Sequence, residues 1–400
     1  MISLRLDGTR RRIGIALAEW IVASAVGASL GACAESPRPV PPAAPLGAML
    51  SEHGSPFTSI RMVELRDGRV LAYDGREKRL SLIDFEARHE TLVSRNGPGP
   101  LEYSSGLALV AARSDSVWML DLMRGTILVF SPTGRPVRRF DITGGAGRTG
   151  RASAPWLRAV DSAGAWYGAV LATRADLGDG GFTDSVAVVR VRGAAAERDT
   201  LAMLLAKGAR SRLPDGQPRL ADFDPHDAFG VLRDGTVIVV RGASYSPEII
   251  DAAGGRRRGA PIAHQRVRLT VDEARRIADS TSHLMRGLIA MSLARLPLRS
   301  GTVPPEPRYA IPDPLPETWP VLMSDELPVD ARDRVWVAVR DSLLASAGQR
   351  YDLLDRDGLW SRAVRIPRGL ELVGIGRSVV FVARRDADGL LWLRRYPLPE

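Results

Sequence analysis

The sequence predicts an all-β chain: a six-bladed β-propeller with a helical insertion between blades 4 and 5. Three observations point there. Apolar runs of strand length recur, separated by hairpin-length gaps such as the one at Asp67-Gly68. A longer phrase made of these runs repeats roughly every 40–60 residues, which suits one four-stranded antiparallel blade. Six such units fit between residues 46 and 398, with one helical segment breaking the pattern.

The N-terminus comes first and is of another kind. Arg5, Arg10, Arg11 and Arg12 form a basic region, and Ile13 to Leu30 is an apolar stretch interrupted by Glu19. Leu30-Gly31-Ala32-Cys33 then has a large apolar residue three positions before a cysteine, with small residues between. This is the layout of a lipoprotein export signal. The thiol must be acylated, and the peptidase needs small side chains beside the scissile bond. The reading is a signal peptide over 1–32, lipid on Cys33, and a Pro/Ala-rich tether over 33–45. Cys33 is the only cysteine, so no intramolecular disulfide competes for it. Two acyl chains hold a protein on a bilayer stably. Ala34, where an inner-membrane retention signal has Asp, favours the outer membrane facing the periplasm.

Blades are expected near residues 57–95, 103–143, 155–204, 226–263, 316–366 and 369–398. Ser116-Val117-Trp118-Met119-Leu120-Asp121, Gly235 to Val240, Arg334 to Val339 and Val379 to Ala383 are versions of the same strand. Thr270 to Leu293 reads as a helix. Thr270 and Glu273 make a capping box, and Val271, Ala274, Ile277, Ala278, Leu284, Leu288 and Met291 recur at helical spacing. Pro297 ends it, and residues 264–315 are taken as an insertion packed on one face of the ring.

The net charge is +9, and removing residues 1–32 takes away four arginines and two acids, leaving +7. That charge does not indicate nucleic acid. The arginines are interspersed with acids, as in Arg332-Asp333-Arg334, and the one dense run, Arg256 to Arg258, is expected to be a solvated turn after Gly254-Gly255.

Gly97-Pro98-Gly99-Pro100-Leu101-Glu102-Tyr103, followed by the strand phrase at Val117, resembles bacterial six-bladed β-propeller lipoproteins related to the NHL-repeat proteins. Those carry Gly-x-Gly-Pro-Gly-Glu-Phe/Tyr between blades 1 and 2. The match here is Gly97, Gly99, Pro100, Glu102 and Tyr103, with Leu101 replacing a glycine. The resemblance implies the fold and an envelope location. The glycines are expected to permit a tight inter-blade turn and Glu102 to bond backbone amides there.

No catalytic constellation stands out, and no cofactor is expected. Calcium-dependent propeller hydrolases and lactonases gather a carboxylate and asparagines at the axis, whereas the only asparagine here is Asn96. His53, His89, His226, His264 and His283 are dispersed, without zinc-ligand spacing. The one local cluster is Asp222, Asp224, His226 and Asp227, read as a solvated turn with a metal loop as the alternative. The expected function is therefore an envelope binding or scaffolding module for a protein, peptide or glycan. A calcium-dependent hydrolase or lactonase is the alternative.

Overall fold

The computed structural model describes residues 40–112, 115–121, 123–142, 155–173, 182–193, 197–207, 222–293 and 309–400. The signal peptide, the lipobox and Cys33 lie outside the described residues. Two short strands come first: β1 (Ala44–Pro45) and β2 (Ser51–Glu52). Blade 1 follows as β3 (Arg61–Glu64), β4 (Val70–Asp74), β5 (Arg79–Asp84) and β6 (His89–Arg95). Blade 2 is β7 (Gly106–Ala111), β8 (Val117–Asp121), β9 (Thr126–Phe130) and β10 (Pro136–Asp141). Blade 3 is β11 (Trp156–Val160), β12 (Trp166–Thr173), β13 (Phe182–Arg192) and β14 (Glu197–Leu205). Blade 4 is β15 (Ala228–Val231), β16 (Val237–Arg241), β17 (Ser246–Ile250) and β18 (Arg256–Arg258).

Helix α1 (Val271–Leu293) comes next. Blade 5 then holds β19 (Val335–Val339), β20 (Gln349–Leu354) and β21 (Trp360–Ile366), and blade 6 holds β22 (Leu370–Ile375), β23 (Val379–Arg385) and β24 (Leu391–Pro397). The molecule is a six-bladed propeller, with every strand pair inside blades 1 to 4 antiparallel.

The last two blades are completed from the other end of the chain. β2 pairs antiparallel with β24 and supplies the outer strand of blade 6. β1 pairs in parallel with β21, Ala44 against Val364, and adds a further strand to blade 5. Arg350 Nη1 also donates to Pro41 O at 2.8 Å. The stretch expected to be a free tether to residue 45 is therefore engaged from Pro41 onward. Two-residue strands carry no periodicity, so no pattern of residues marks them in advance. On its inner side, blade 5 is edged by an irregular segment, with Leu322 bridged to Val339 and Val329 to Val335.

Every blade packs between two others, so among the described residues the core of the ring is six apolar clusters, one at each blade-to-blade interface, with a seventh under α1. This explains the runs. Along β4, Val70 and Ala72 join the blade 6–blade 1 cluster, while Leu71 and Tyr73 join the blade 1–blade 2 cluster. Both faces of the second strand are buried, so alternation of apolar with polar gives way to a continuous apolar run. The Asp-Gly turns do what their composition requires: Gly235 and Gly358 have φ of 88° and 74°.

Two corrections belong to the periphery. Arg256 to Arg258 is not a turn but β18, an outer strand exposed at every position, with Glu248 opposite Arg258. Neither of its faces is covered, so it has no apolar residue to betray it. The capping box of α1 is as expected: Glu273 N donates to Thr270 Oγ1 at 3.3 Å, and Thr270 N donates to Glu273 Oε2 at 3.0 Å. Ala274 and Ala278 are buried with Phe223 and Leu269, and Ile277 packs against them. Val271 and Leu284 point to solvent, however, so the buried stripe is narrower than the spacing suggested. The side chains of Leu288 and Met291 lie outside the described residues.

Candidate functional site

Propeller ligands reach the protein through the inner strands, so the site is built from those. Arg158 stands on β11, the inner strand of blade 3. Its Nη2 donates to Asp325 Oδ2 at 3.2 Å, and its Nη1 pairs with Glu326. Both carboxylates belong to the irregular inner segment of blade 5. That segment is stitched to β15 of blade 4 by Phe229 N to Asp325 O at 3.4 Å and Leu327 N to Phe229 O at 3.1 Å. A side chain at Gly230 would meet Leu327 O at 2.7 Å, so this close approach requires glycine.

Arg158 is largely buried, and its Nε has no partner among the described residues. Burial lowers its pKa, Asp325 opposes that, and Arg61 of blade 1 adds to it. Lys207, after β14, donates from Nζ to Met323 O at 2.9 Å. Hydrogen bonds, ion pairs and charge interactions thus link Arg61, Arg158, Lys207, Asp325 and Glu326 across blades 1, 3 and 5.

His226 joins them from blade 4. It is 4% exposed, and its Nε2 has no hydrogen-bond partner among the described residues. Burial pushes its pKa down, Lys207 pushes it further, and Asp325 opposes both. The imidazole is therefore neutral in the folded protein near neutral pH. The unfolded chain takes up a proton as pH falls through about 6.5. His226 thus contributes stability above that pH, and the contribution is lost as pH falls toward the depressed folded value. Replacing His226 with Gln should shrink the loss of thermal stability between about pH 7 and pH 5. Parallel melting curves for the two proteins across that window would refute this.

The neighbours of His226 disperse. Phe223 is fully buried under α1. Asp227 accepts from Gly242 N at 3.0 Å and Leu205 N at 3.0 Å, and pairs with Arg241 at 2.8 Å. Asp222 lies near Arg340, whose guanidinium stacks 4.1 Å over Trp319. Of the expected solvated turn, Asp222 is exposed and Asp224 half-buried, whereas Phe223, His226 and Asp227 are buried, and its acids serve different elements. Among the described residues no group of three or more His, Cys, Asp or Glu could hold a metal.

The Gly97–Tyr103 turn is a closed network. Glu102 Oε2 accepts from Gly99 N at 2.9 Å, and Oε1 from Arg95 Nε at 3.0 Å. These bonds hold its pKa below the ordinary glutamate value, Gly99 N–H contributing most. A Cβ at Gly97 would stand 2.0 Å from Glu102 Oε2. Neither Gly97 nor Gly99 has a positive φ, so the glycines make room for the carboxylate instead of permitting a left-handed turn. Leu101, where the resembling family has glycine, also lacks a positive φ. Pro100 lies within this turn without a bond of its own to Glu102. Arg124 Nη1 donates to Glu102 O at 2.7 Å, and Arg124 Nη2 and Arg139 Nη2 bond Gly97 O and Glu102 O. Tyr103 is fully buried, and its hydroxyl donates to Lys78 O at 2.7 Å.

Two carboxylates that sequence reading passed over do similar work. Asp74 accepts from Thr58 N at 2.6 Å and Thr58 Oγ1 at 2.7 Å, and Asp121 from Ser104 N at 2.8 Å and Ser104 Oγ at 3.0 Å. Each ends a second strand and clamps the linker entering its own blade. The signal was there: an Asp closing the run in both blades, after a Thr-Ser or Ser-Ser pair.

Two grooves lie between neighbouring blades. One of about 320 Å³, between blades 5 and 6, is lined by Leu344, Tyr351, Arg368, Leu370 and Glu371. The other, about 450 Å³, lies between blades 4 and 5 and is lined by Asp251, Arg256, Arg257, Arg356 and Asp357. Its arginines are largely spent on ion pairs: Arg256 with Glu248, Arg257 with Asp357, Arg356 with Asp234.

No protein-family model matches the chain, and no curated protein matches it. Solved structures match in fold. One is a member of the DUF4221 family from Bacteroides vulgatus, 8% identical, covering 88% of this chain and 95% of that one with a TM-score of 0.45. Another is a gluconolactonase from Xanthomonas campestris, 12% identical, covering 90% and 99% with a TM-score of 0.42. A calcium-binding protein, regucalcin, from Agrobacterium tumefaciens is 13% identical, covering 90% and 98% with a TM-score of 0.40. At these identities and TM-scores the likenesses carry no argument about this chain.

Proposed function

We propose that this chain is a cell-envelope lipoprotein, cleaved before Cys33 and anchored to the outer membrane by lipid on that residue, whose propeller is a binding or scaffolding module. The observation that carries the binding role is the axial cluster. Arg158, braced by Asp325 and Glu326, stands with Arg61, Lys207 and the neutral His226 where a ligand entering the ring meets fixed donors and acceptors. Those acids hold the guanidinium in place before any ligand arrives, which reduces the ordering cost of binding. Envelope protein, peptide and glycan are the partner classes, and no nucleic acid is expected.

The test is affinity capture from detergent-solubilised envelope, comparing the wild-type chain with Arg158→Met. The wild type should retain a partner that the variant holds at least about tenfold more weakly, since losing one buried charged contact costs a few kcal/mol. Equal retention by both would remove the axial cluster from the function, and recovery of nothing by either would count against a binding role. The anchor is tested separately: Cys33→Ser should leave uncleaved precursor or release the protein from membranes.

A further inference from the structure

We infer that the outer edge of blades 5 and 6 is the face the propeller rests against the bilayer. The inference depends on the reading of Cys33 as the anchored residue.

Chain length sets the geometry. Cys33 precedes Val40, the first described residue, by seven positions. At no more than about 3.6 Å per residue, that chain spans at most about 25 Å. A body of this size has a radius of gyration of about 21 Å and is roughly 50 Å across. Only the side from which the chain leaves can reach the membrane, and that side is fixed. Pro41 O is held by Arg350, and Ala44 and Pro45 pair with Val364 and Arg365 on β21.

The surface around that exit has the chemistry of an interface. Met49 and Leu50 are 47% and 56% exposed, although Leu50 N is bonded to Arg395 O at 2.9 Å. Their backbone is locked into the edge of blade 6 while their side chains face out. The guanidinium of Arg362, on β21 two residues before the partner of Ala44, has no ion-pair or hydrogen-bond partner among the described residues. Exposed apolar side chains beside an unpaired cation fit the acyl–headgroup boundary of a bilayer with anionic lipid. The bottom hairpins of the ring are instead crowded with paired charges, such as Arg377 with Asp115 and Arg356 with Asp234.

The lipid itself makes the test clean. Acylation converts the Cys33 thiol to a thioether, so an engineered cysteine becomes the only free thiol. Leu50→Cys would be compared with Met203→Cys on β14, the outer strand of blade 3, which is 47% exposed and lies across the ring from blade 6. Each lipidated full-length protein is labelled with a small fluorophore and reconstituted into phosphatidylethanolamine–phosphatidylglycerol vesicles carrying a nitroxide lipid. Quenching at position 50 should exceed that at 203 by at least about threefold, because contact quenching demands immersion at the boundary. One thiol per chain with equal or reversed quenching would overturn the orientation alone. Two reactive thiols per chain would overturn the anchor reading, and the orientation with it.

Discussion

Phe57→Ala should destabilise the propeller by about 3–5 kcal/mol, the usual cost of emptying a large buried aromatic site. Phe57 is 1% exposed and belongs to the cluster joining blade 6 to blade 1, with Phe85, Phe381 and Leu391. Its N–H donates to Leu391 O at 2.8 Å, and its carbonyl accepts from Leu391 N at 2.7 Å. The next residue, Thr58, is clamped by Asp74. Five of the six blade interfaces join consecutive blades, whereas this one joins the two ends of the chain. Loosening it opens the ring and bares two apolar faces together. Urea unfolding followed by tryptophan fluorescence should show the drop, while Leu92→Ala, at an outer edge and 58% exposed, should stay within about 0.5 kcal/mol of wild type. If both substitutions cost the same, closure at Phe57 does not limit stability.

The blades were readable because their code is local. Each second strand is an apolar run, and turns such as Asp234-Gly235 and Asp357-Gly358 punctuate them. Blade limits came out within a few residues for that reason. The closure was unreadable because it is not local. β1 is Ala44–Pro45 in a proline-rich stretch, and its partner lies more than 300 residues away. Composition made that stretch a tether, and pairing made its last residues part of the ring. β18 was missed for the opposite reason: an outer strand with no covered face can be three arginines.

The axial cluster follows the same logic. Arg158 and Asp325 are 167 positions apart, and a propeller axis gathers residues from different blades, so no spacing marks them. His226 was visible only as part of a charged run. The run looked solvated because it holds three acids, yet Phe223 within it is fully buried and β15 begins two residues after His226. The Gly97–Tyr103 turn was legible because all of its parts lie within one short segment. Its physical reading changed nonetheless, from backbone freedom to space for the Glu102 carboxylate.

Arg350→Met should cost about 3–5 kcal/mol, because it strands a buried carboxylate. Arg350 and Asp352 are 4% and 1% exposed, and Arg350 Nε donates to Asp352 Oδ1 at 2.8 Å. The other carboxylate oxygen, Oδ2, accepts from Tyr245 OH of blade 4 at 2.7 Å. That phenol is fully buried, and burial beside Asp352 raises its pKa well above the ordinary value. With Arg350 gone, the charge keeps one neutral donor and no cation. The triple change Arg350→Met, Asp352→Leu, Tyr245→Phe should recover most of the loss, since the desolvation cost leaves along with the pair. A triple variant as unstable as the single one would mean that packing, not the charge, is what Arg350 supplies. The single variant carries a second readout. Arg350 is also the donor to Pro41 O, so its loss should speed proteolytic cutting ahead of Ala44, where the chain joins blade 5. The triple variant should restore stability without restoring that bond, so it should stay cut-sensitive. Separating the two readouts divides the residue's role in the blade 4–blade 5 core from its role in pinning the N-terminal segment.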